Sequence, residues 1–243
     1  MIIEDITQAL ILAGGEGTRL KPITEKIPKS MVEINNKPFL EYQLELLAKN
    51  GISDVILCVG YLWEQIKDYF GDTFTSKTGS KIALKYSVEP RLLGTGGAIK
   101  NAERFIGDFF FLIYGDTFLP INYQALGQLI IKKNTIGVTS VYKNLDKIVN
   151  NNIKVDESGY VIKYNKHQAS QDMTGVEAGA SVFTKRLLEY LPTEIPEDHT
   201  ISLEIDIYPK LIIQRQLFGY ITDIRFYDIG TFERIKIISE VLR

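Results

Sequence analysis

The chain has 243 residues, of which 45% are hydrophobic, 11% aromatic and 24% charged, a composition typical of folded globular proteins. It excludes an intrinsically disordered chain, a collagen-like chain and a small domain held together by disulfides. The 28 basic and 30 acidic residues leave a formal net charge of −2, which favours neither a nucleic-acid partner nor an anionic membrane.

Short apolar runs alternate with amphipathic stretches through the first half of the chain. In residues 38–49, for example, Phe39, Leu40, Leu44 and Leu47 follow helical spacing, and Gly51 suits a C-terminal cap. Strands are predicted at residues 8–13, 54–60, 82–88 and 109–114, and helices at residues 38–49, 62–70 and 94–105. Strands that alternate with helices indicate a mostly parallel sheet covered on both faces.

The second half of the chain is richer in strands. Extended segments are predicted at residues 136–142, 152–155, 160–164, 176–183 and 217–220, and helices at residues 203–214 and 231–242. Neither a low-complexity linker nor an internal repeat divides the chain. The sequence therefore predicts one α/β domain over residues 1–243, with a Rossmann-like, doubly wound mixed sheet and helices on both faces.

A glycine-rich segment, Leu12-Ala-Gly-Gly-Glu-Gly-Thr-Arg-Leu20, follows the first predicted strand. Glycines here let the backbone approach a ligand and turn its amides toward a phosphate, although a tight strand-to-helix turn would use them equally well. Leu20 stands where a dinucleotide fingerprint has its third glycine, and no Walker A Gly-Lys-Ser/Thr follows. Arg19 and Lys29, on a loop stiffened by two prolines, would form a clamp for a triphosphate.

Three further segments carry residues that suit a ligand site. Residues 89–98 are rich in glycine, and are either a base-binding turn or an ordinary helix start. Asp116 comes after a buried strand and Gly115, where an open sheet places a metal ligand or where an aspartate caps a turn. Asp228 is an isolated acid in an apolar run ahead of the last predicted helix.

With its flanks, the glycine-rich segment resembles the signature of the sugar-1-phosphate nucleotidyltransferases. That family has Gly-x-Gly-Thr-Arg-Leu-x-Pro-x-Thr, then Pro-Lys, then Lys-Pro before a helix. The matching residues are Gly15, Gly17, Thr18, Arg19, Leu20, Pro22, Thr24, Pro28, Lys29, Lys37 and Pro38. Residues 89–98 are similar to the family's Leu-Gly-Thr-x-Gly-Ala stretch, and its Gly-Asp and Asp-x-Gly-Thr motifs recur at Asp116 and Asp228.

The resemblance implies roles for the candidate site residues. The nucleotide would contact Leu12, Ala13, Gly14, Gly15, Gly17, Thr18, Glu89, Gly94 and Thr95. Arg19 and Lys29 would be catalytic and neutralise the phosphates, and Asp116 and Asp228 would hold Mg²⁺. The sugar phosphate would contact Gly115, Lys166, Glu177 and Gly179. On the sugar side the chain departs from the family, because Lys166 lacks the flanking glutamate and proline and Glu177 stands where many members have asparagine.

The same resemblance implies the architecture and the reaction. The fold would be a nucleotidyltransferase core of the glycosyltransferase-A-like type, with residues 8–115 as the nucleotide-binding half, residues 116–243 as the sugar-phosphate-binding half and no β-helix extension. An NTP and a sugar 1-phosphate would give an NDP-sugar and pyrophosphate. The motifs look like those of short mannose-1-phosphate and manno-heptose-1-phosphate guanylyltransferases. The alternatives are a uridylyl-, thymidylyl- or cytidylyltransferase of the same family, or a catalytically silent regulatory subunit that binds a sugar nucleotide.

Glu89 bears on the choice of base, since it stands where family members put a base-reading side chain. A carboxylate only accepts hydrogen bonds, and guanine offers two adjacent donors, N1–H and its amino group. Uracil and thymine offer one donor between carbonyl oxygens, which a carboxylate would repel. This argument favours GTP, unless Glu89 is a solvated loop residue and backbone amides read the base.

The remaining features favour an ordinary cytoplasmic enzyme. Cys58 is the single cysteine and lies in an apolar run, which fits a reducing compartment. No apolar run approaches the ~18 residues of a membrane helix, and residues 1–7 lack the basic charge of a signal peptide. The expected partners are an NTP and a sugar 1-phosphate, without nucleic acid or membrane, and a homodimer is left open.

Overall fold

The computed structural model describes residues 5–147, 149–165 and 172–243. An eight-stranded sheet runs through its centre. The strands are β1 (Gln8–Ala13), β2 (Asp54–Val59), β3 (Thr73–Thr75), β4 (Lys81–Val88), β5 (Phe109–Tyr114), β6 (Gly137–Tyr142), β7 (Val176–Thr184) and β8 (Leu217–Thr222). Their order across the sheet is β8-β6-β7-β5-β1-β2-β4-β3.

The sheet is mixed, and its parallel part comes from the first half of the chain. Strands β5, β1, β2 and β4 are parallel neighbours. Strand β7 is antiparallel to both β5 and β6, β8 is parallel to β6, and β3 is antiparallel to β4. Because parallel strands end at the same edge of a sheet, the loops after Ala13, Val59, Val88 and Tyr114 gather there.

Helices cover both faces of this sheet. They are α1 (Phe39–Lys49), α2 (Trp63–Phe70), α3 (Gly94–Asn101), α4 (Tyr123–Lys133) and α5 (Tyr208–Ile213), whereas α6 (Phe232–Val241) packs in a separate apolar cluster with Leu20 and Phe39. Neighbouring residues of β1 point to opposite faces: Ile11 packs in a cluster with α1, α2 and α4, and Leu10 packs in a cluster with α3 and α5. The predicted α/β class, with a mixed sheet covered on both sides, is confirmed.

Several elements differ from the sequence prediction. The helix predicted at 94–105 ends at Asn101 and is followed by a 3₁₀ turn, Glu103–Phe105. The helix predicted at 203–214 begins as a π-helical turn, Leu203–Ile207, and continues as α5. Helix α4 and the short strand β3 were not predicted. Gly127 lies in the middle of α4 and weakens its local helix signal, yet a Cβ there would lie 3.1 Å from Ile6 Cδ1.

Short strand pairs lie outside the main sheet. The strands predicted at 152–155 and 160–164 form one of them, an antiparallel pair of Ile153–Val155 and Val161–Tyr164. A second pair, Thr117–Phe118 with Tyr227–Asp228, joins the middle of the chain to its last part. Across the described ranges, each helix is too short or too polar to cross a membrane.

Candidate active site

The loop after β1 depends on glycine where the backbone passes close to its neighbours. Gly17 has a φ of +63°, and a Cβ there would lie 3.0 Å from both Lys29 Cβ and Thr24 Cγ2. The Thr24 hydroxyl donates a hydrogen bond to the Gly17 carbonyl (2.9 Å), which holds the loop against the next turn. At Gly14 the space of a Cβ is occupied by Glu89 Oε1. The loop therefore packs closely between the side chains of Lys29 and Glu89.

A cleft of about 360 Å³ opens at the carboxyl ends of the parallel strands. Its lining includes both predicted catalytic cations and all the predicted nucleotide-binding residues. The predicted residues that line it are Leu12, Ala13, Gly14, Gly15, Gly17, Thr18, Arg19, Lys29, Glu89, Gly94, Thr95, Gly115 and Asp116. Glu177, Gly179 and Asp228 lie outside this lining, and Lys166 lies outside the described residues.

Lys29 and Asp116 form an ion pair in the cleft. Lys29 Nζ lies 2.5 Å from Asp116 Oδ2, and the Thr117 hydroxyl donates to Asp116 Oδ1 (3.1 Å). Burial by itself would raise the pKa of Asp116, but the charge and hydrogen bond of Lys29, the Thr117 hydroxyl and the Arg19 charge together hold it below its ordinary value. The carboxylate is therefore ionised at neutral pH, the form that binds metal ions.

A short strand pair brings Asp228 beside Asp116. Asp228 lies opposite Thr117 in the antiparallel pair, and the Ile229 amide donates to the Asp116 carbonyl (3.0 Å). Two acids that are far apart in the chain thus lie close together, with Asp116 directly before one short strand and Asp228 on the other.

The side chain of Asp228 has its own partners. Its Oδ1 accepts a hydrogen bond from the Gly230 amide (2.8 Å), and its Oδ2 accepts one from Arg234 (2.7 Å). The Arg19 side chain also lies close to Gly230, because a Cβ at Gly230 would lie 3.4 Å from Arg19 Nη2. The predicted catalytic arginine and the predicted metal ligands are therefore neighbours.

The carboxylate oxygens of Asp116 and Asp228 are ligands that suit Mg²⁺. Among the described residues, no group of three or more His, Cys, Asp and Glu side chains gathers as a metal site. Magnesium commonly takes one or two protein carboxylates and fills its other positions with phosphate oxygens and water. Asp116 and Asp228 would therefore suit an ion that arrives together with a nucleotide.

Glu89 forms the opposite wall of the cleft. It follows β4 directly, and its Oε2 accepts a hydrogen bond from the Leu93 amide (3.0 Å). Burial raises the pKa of this carboxyl, and the Leu93 hydrogen bond offsets part of that rise. Gly94 begins α3 with a φ of +80°, and a Cβ there would lie 2.6 Å from the Ile201 carbonyl oxygen. The glycine at this position allows the close approach of residues 201–204.

Two of the predicted sugar-side residues, Glu177 and Gly179, lie on β7, next to Thr117. Gly179 has a φ of +82°, and a Cβ there would lie 2.6 Å from Thr117 Cγ2. Its amide donates to Glu177 Oε1 (3.0 Å), and the Glu177 amide donates to Asn152 Oδ1 (2.8 Å). Strand β7 therefore passes beside Asp116, outside the part of the cleft formed by the glycine loop.

Some lining residues were not predicted. They are Ser30, Leu92, Ala98, Tyr114 and Gly230. Each adjoins or belongs to a recognised motif, so extending every motif by one or two residues would have found them. Their residue types are common, and this is why none of them stands out in the sequence.

An α/β sheet with a cleft outside the carboxyl ends of its parallel strands is the architecture of doubly wound nucleotide-binding proteins. The profile of the Nucleotidyl transferase family matches residues 8–242. The chain therefore belongs to this family, and the resemblance inferred from its motifs is confirmed.

Relatives with assigned names cover most of the chain. It is 32% identical over 224 residues to D-glycero-alpha-D-manno-heptose 1-phosphate guanylyltransferase of Aneurinibacillus thermoaerophilus, covering 92% of this chain and 93% of the relative. It is 42% identical over 160 residues to the Campylobacter jejuni protein of that name, covering 65% of this chain and 68% of the relative. The crystal structure of HddC from Yersinia pseudotuberculosis complexed with GMP-PN is 28% identical, with a TM-score of 0.77, covering 98% of this chain and 100% of HddC.

Proposed function

We propose that the chain is a guanylyltransferase that joins GTP and a sugar 1-phosphate of the mannose or manno-heptose type into a GDP-sugar and pyrophosphate. The observation that carries this proposal is the single cleft in which the glycine loop, Arg19, Lys29, Glu89 and Asp116 meet. The family assignment and the names of the two guanylyltransferase relatives support the same activity.

The reaction needs no general base from the protein, because a phosphate monoester is already anionic at neutral pH. A phosphate oxygen of the sugar 1-phosphate attacks the α-phosphorus of GTP in line, and the bond to the leaving pyrophosphate breaks on the opposite side. The protein contributes position and charge. Arg19 offers a planar fork of donors to the α-phosphate, and Lys29 offers a compact charge to the same group.

Asp116 and Asp228 would hold Mg²⁺ in this proposal. When bound, the ion stabilises charge on the phosphate oxygens of the transferring group. Lys29 and Arg234 each hold one oxygen of these carboxylates, so the pair is oriented before a substrate arrives. Residues 8–115 would bind the nucleotide and residues 116–243 the sugar phosphate.

Glu89 is the residue that we assign to the guanine base. Its Oε2 already accepts the Leu93 amide, and its Oε1 lies against Gly14 at the cleft wall. Because a carboxylate oxygen accepts more than one hydrogen bond, both oxygens can still receive the N1–H and amino donors of guanine. The GMP-PN in the Yersinia relative supports a guanine nucleotide for this cleft.

The sugar phosphate would lie next to the cleft lining, between Asp116 and β7. Gly115 leads into Asp116, and Gly179 brings β7 against Thr117. Glu177 would accept hydrogen bonds from sugar hydroxyls, and Lys166 would bind the sugar's phosphate. Lys166→Ala is therefore expected to weaken every sugar 1-phosphate, and Glu177→Gln to weaken different sugars unequally.

The proposal is tested by pyrophosphate release in the presence of Mg²⁺. GTP, UTP, dTTP, CTP and ATP are each offered with mannose 1-phosphate, manno-heptose 1-phosphate and glucose 1-phosphate. The expected result is the highest kcat/KM with GTP and a manno-configured sugar. Glu89→Gln should lose about tenfold to a hundredfold of the preference for GTP, whereas Glu157→Gln, at an exposed glutamate, should keep it.

Two outcomes would contradict parts of this proposal. A wild-type enzyme that prefers UTP, dTTP or CTP would remove the assignment of guanine and leave nucleotidyl transfer standing. A protein that binds a GDP-sugar but releases no pyrophosphate with any of these pairs would instead be a regulatory subunit.

A further inference from the structure

A buried carboxylate outside the predicted site joins two walls of the cleft. Glu204 is 2% exposed and lies in the π-helical turn Leu203–Ile207. Its Oε2 accepts hydrogen bonds from Thr95 Oγ1 (2.8 Å) and Ser202 Oγ (2.7 Å), and its Oε1 accepts one from the Tyr114 hydroxyl. Thr95 lies in the first turn of α3 and Tyr114 ends β5, and both line the cleft.

The donors in this cluster fix the direction of the hydrogen bonds. Thr95 Oγ1 accepts a hydrogen bond from the Leu203 amide (2.8 Å), so its single proton is available for Glu204. The Tyr114 hydroxyl directs its own proton at Glu204 Oε1. Glu204 thus receives hydroxyl donors from both walls, which a carboxylate can accept together and an amide cannot.

The backbone next to Glu204 holds the glycine-rich start of α3. The Ile201 carbonyl accepts hydrogen bonds from the Gly96 amide (2.8 Å) and the Gly97 amide (3.2 Å), and the Ile201 amide donates to the Leu93 carbonyl (2.8 Å). The position of Thr95 is therefore set by residues 201–204 as well as by its own helix.

We propose that Glu204 is a positioning residue of the nucleotide site, which acts through Thr95 and Tyr114 to hold the two cleft walls at the spacing that the nucleotide requires. The inference rests on the proposed function in one respect, namely that both walls face a bound nucleotide. An amide at this position keeps the size of the side chain but directs N–H donors at hydroxyls that are themselves donors. Nucleotide affinity should fall while Arg19 and Asp116 stay in place.

Calorimetric titration with GTP in the absence of sugar phosphate measures this affinity apart from turnover. Glu204→Gln is expected to bind GTP about tenfold or more weakly than the wild type. Thr95→Val, which removes the hydroxyl, should lose a similar factor, and Thr95→Ser, which keeps it, should retain more GTP affinity than Thr95→Val. The double variant Thr95→Val with Glu204→Gln should lose much less affinity than the product of the two factors, because both changes break the same Thr95–Glu204 hydrogen bond.

Asp206→Asn is the matched control in the same turn. Asp206 is exposed and accepts a hydrogen bond from the Ser202 amide (2.7 Å), away from the cleft lining, so this variant should bind GTP like the wild type. Thermal unfolding of each variant establishes that it is folded. Unchanged GTP affinity in Glu204→Gln, or losses that multiply in the double variant, would overturn the proposal.

Titrations with UTP, dTTP, CTP and ATP separate this inference from the proposed function. If the wild type binds one of these in place of GTP, the guanine assignment fails, and weaker binding of that nucleotide to Glu204→Gln still supports the positioning role. If the wild type binds none of these nucleotides, both proposals fail.

Discussion

At the scale of single residues, three carboxylates of the site have partners before any substrate binds. Lys29 holds Asp116, Arg234 holds Asp228, and the Leu93 amide holds Glu89. Side chains that are already oriented need little rearrangement when charge develops on a transferring phosphate. The pairs therefore prepare the site as well as stabilise it.

Arg19 is expected to act on turnover more than on binding. Charge accumulates on the transferring group in the transition state, so Arg19→Ala should lower kcat by about 10²-fold or more, with a smaller effect on the KM for GTP. Arg19→Lys supplies charge without the planar fork and should recover part of the activity. Lys21→Ala, at an exposed lysine on the same loop, is the control for steady-state kinetics. A raised KM with unchanged kcat would show that Arg19 binds the ground state.

Glu89 should make stability depend on pH. Its folded-state pKa is raised, by burial, above the unfolded value, so its contribution to stability is complete below the unfolded pKa and is lost as the pH rises through the folded pKa. Glu89→Gln does not ionise, and its Tm should therefore rise relative to the wild type as the pH increases from about 4, near the unfolded pKa of a glutamate. Thermal unfolding over this range measures the difference. A Tm difference between Glu89→Gln and wild type that stays constant with pH would contradict the raised pKa of Glu89. The Tm difference between Glu157→Gln and wild type should not change with pH.

At the scale of elements, the parts of the fold with a strong local sequence signal were predicted and the parts set by packing were not. Strands β1, β2 and β5 are continuous apolar runs buried on both faces, and their signal is local. Helix α4 contains Gly127, which suits close packing on Ile6 and weakens the helical pattern. The π-helical turn Leu203–Ile207 likewise has no simple sequence period.

The loop after β1 should tolerate a side chain at one glycine and reject it at another. Gly17→Ala forces a left-handed φ of +63° on alanine, at a cost of about 1–2 kcal/mol, and presses its Cβ against Lys29 and Thr24. We expect a lower Tm and reduced turnover, since Lys29 must move. At Gly15 a Cβ would meet none of the described atoms within 4 Å, so Gly15→Ala should keep the wild-type Tm. Equal stability of Gly17→Ala and wild type would contradict the strain argument.

At the scale of the whole molecule, the acid pair exists because the last part of the chain returns to β5. The strand pair of Thr117–Phe118 with Tyr227–Asp228 carries Asp228 to Asp116. Ile229 and Ile238 pack beside it, in an apolar cluster with Leu20 and Phe39 from the first part of the chain. The same apolar cluster therefore packs against the metal-ligand pair and against the loop that carries Arg19.

The two carboxylates should behave as a unit. Asp116→Asn and Asp228→Asn are each expected to lower turnover about 10²-fold or more with Mg²⁺ present, as for the loss of a preorganised charge stabiliser. The double variant should lose much less than the product of the two factors, because either change already impairs the ion site. EDTA should abolish wild-type activity, and Asp223→Asn, at an exposed aspartate, serves as the control. Full activity in either single variant would remove the metal assignment.

The amino-acid sequence by itself determined the strand–helix alternation, the family and the candidates for the phosphate and base walls. These depend on local periodicity and on motifs with strict spacing, so Arg19, Lys29, Glu89 and Asp116 could be selected before any contact was known. Only the tertiary structure decided that Arg234 holds Asp228 and that Glu204 joins Thr95 to Tyr114. Such contacts join residues distant in the chain, and the glutamate of the segment LEIDI carries no local sign of the donors that folding brings to it.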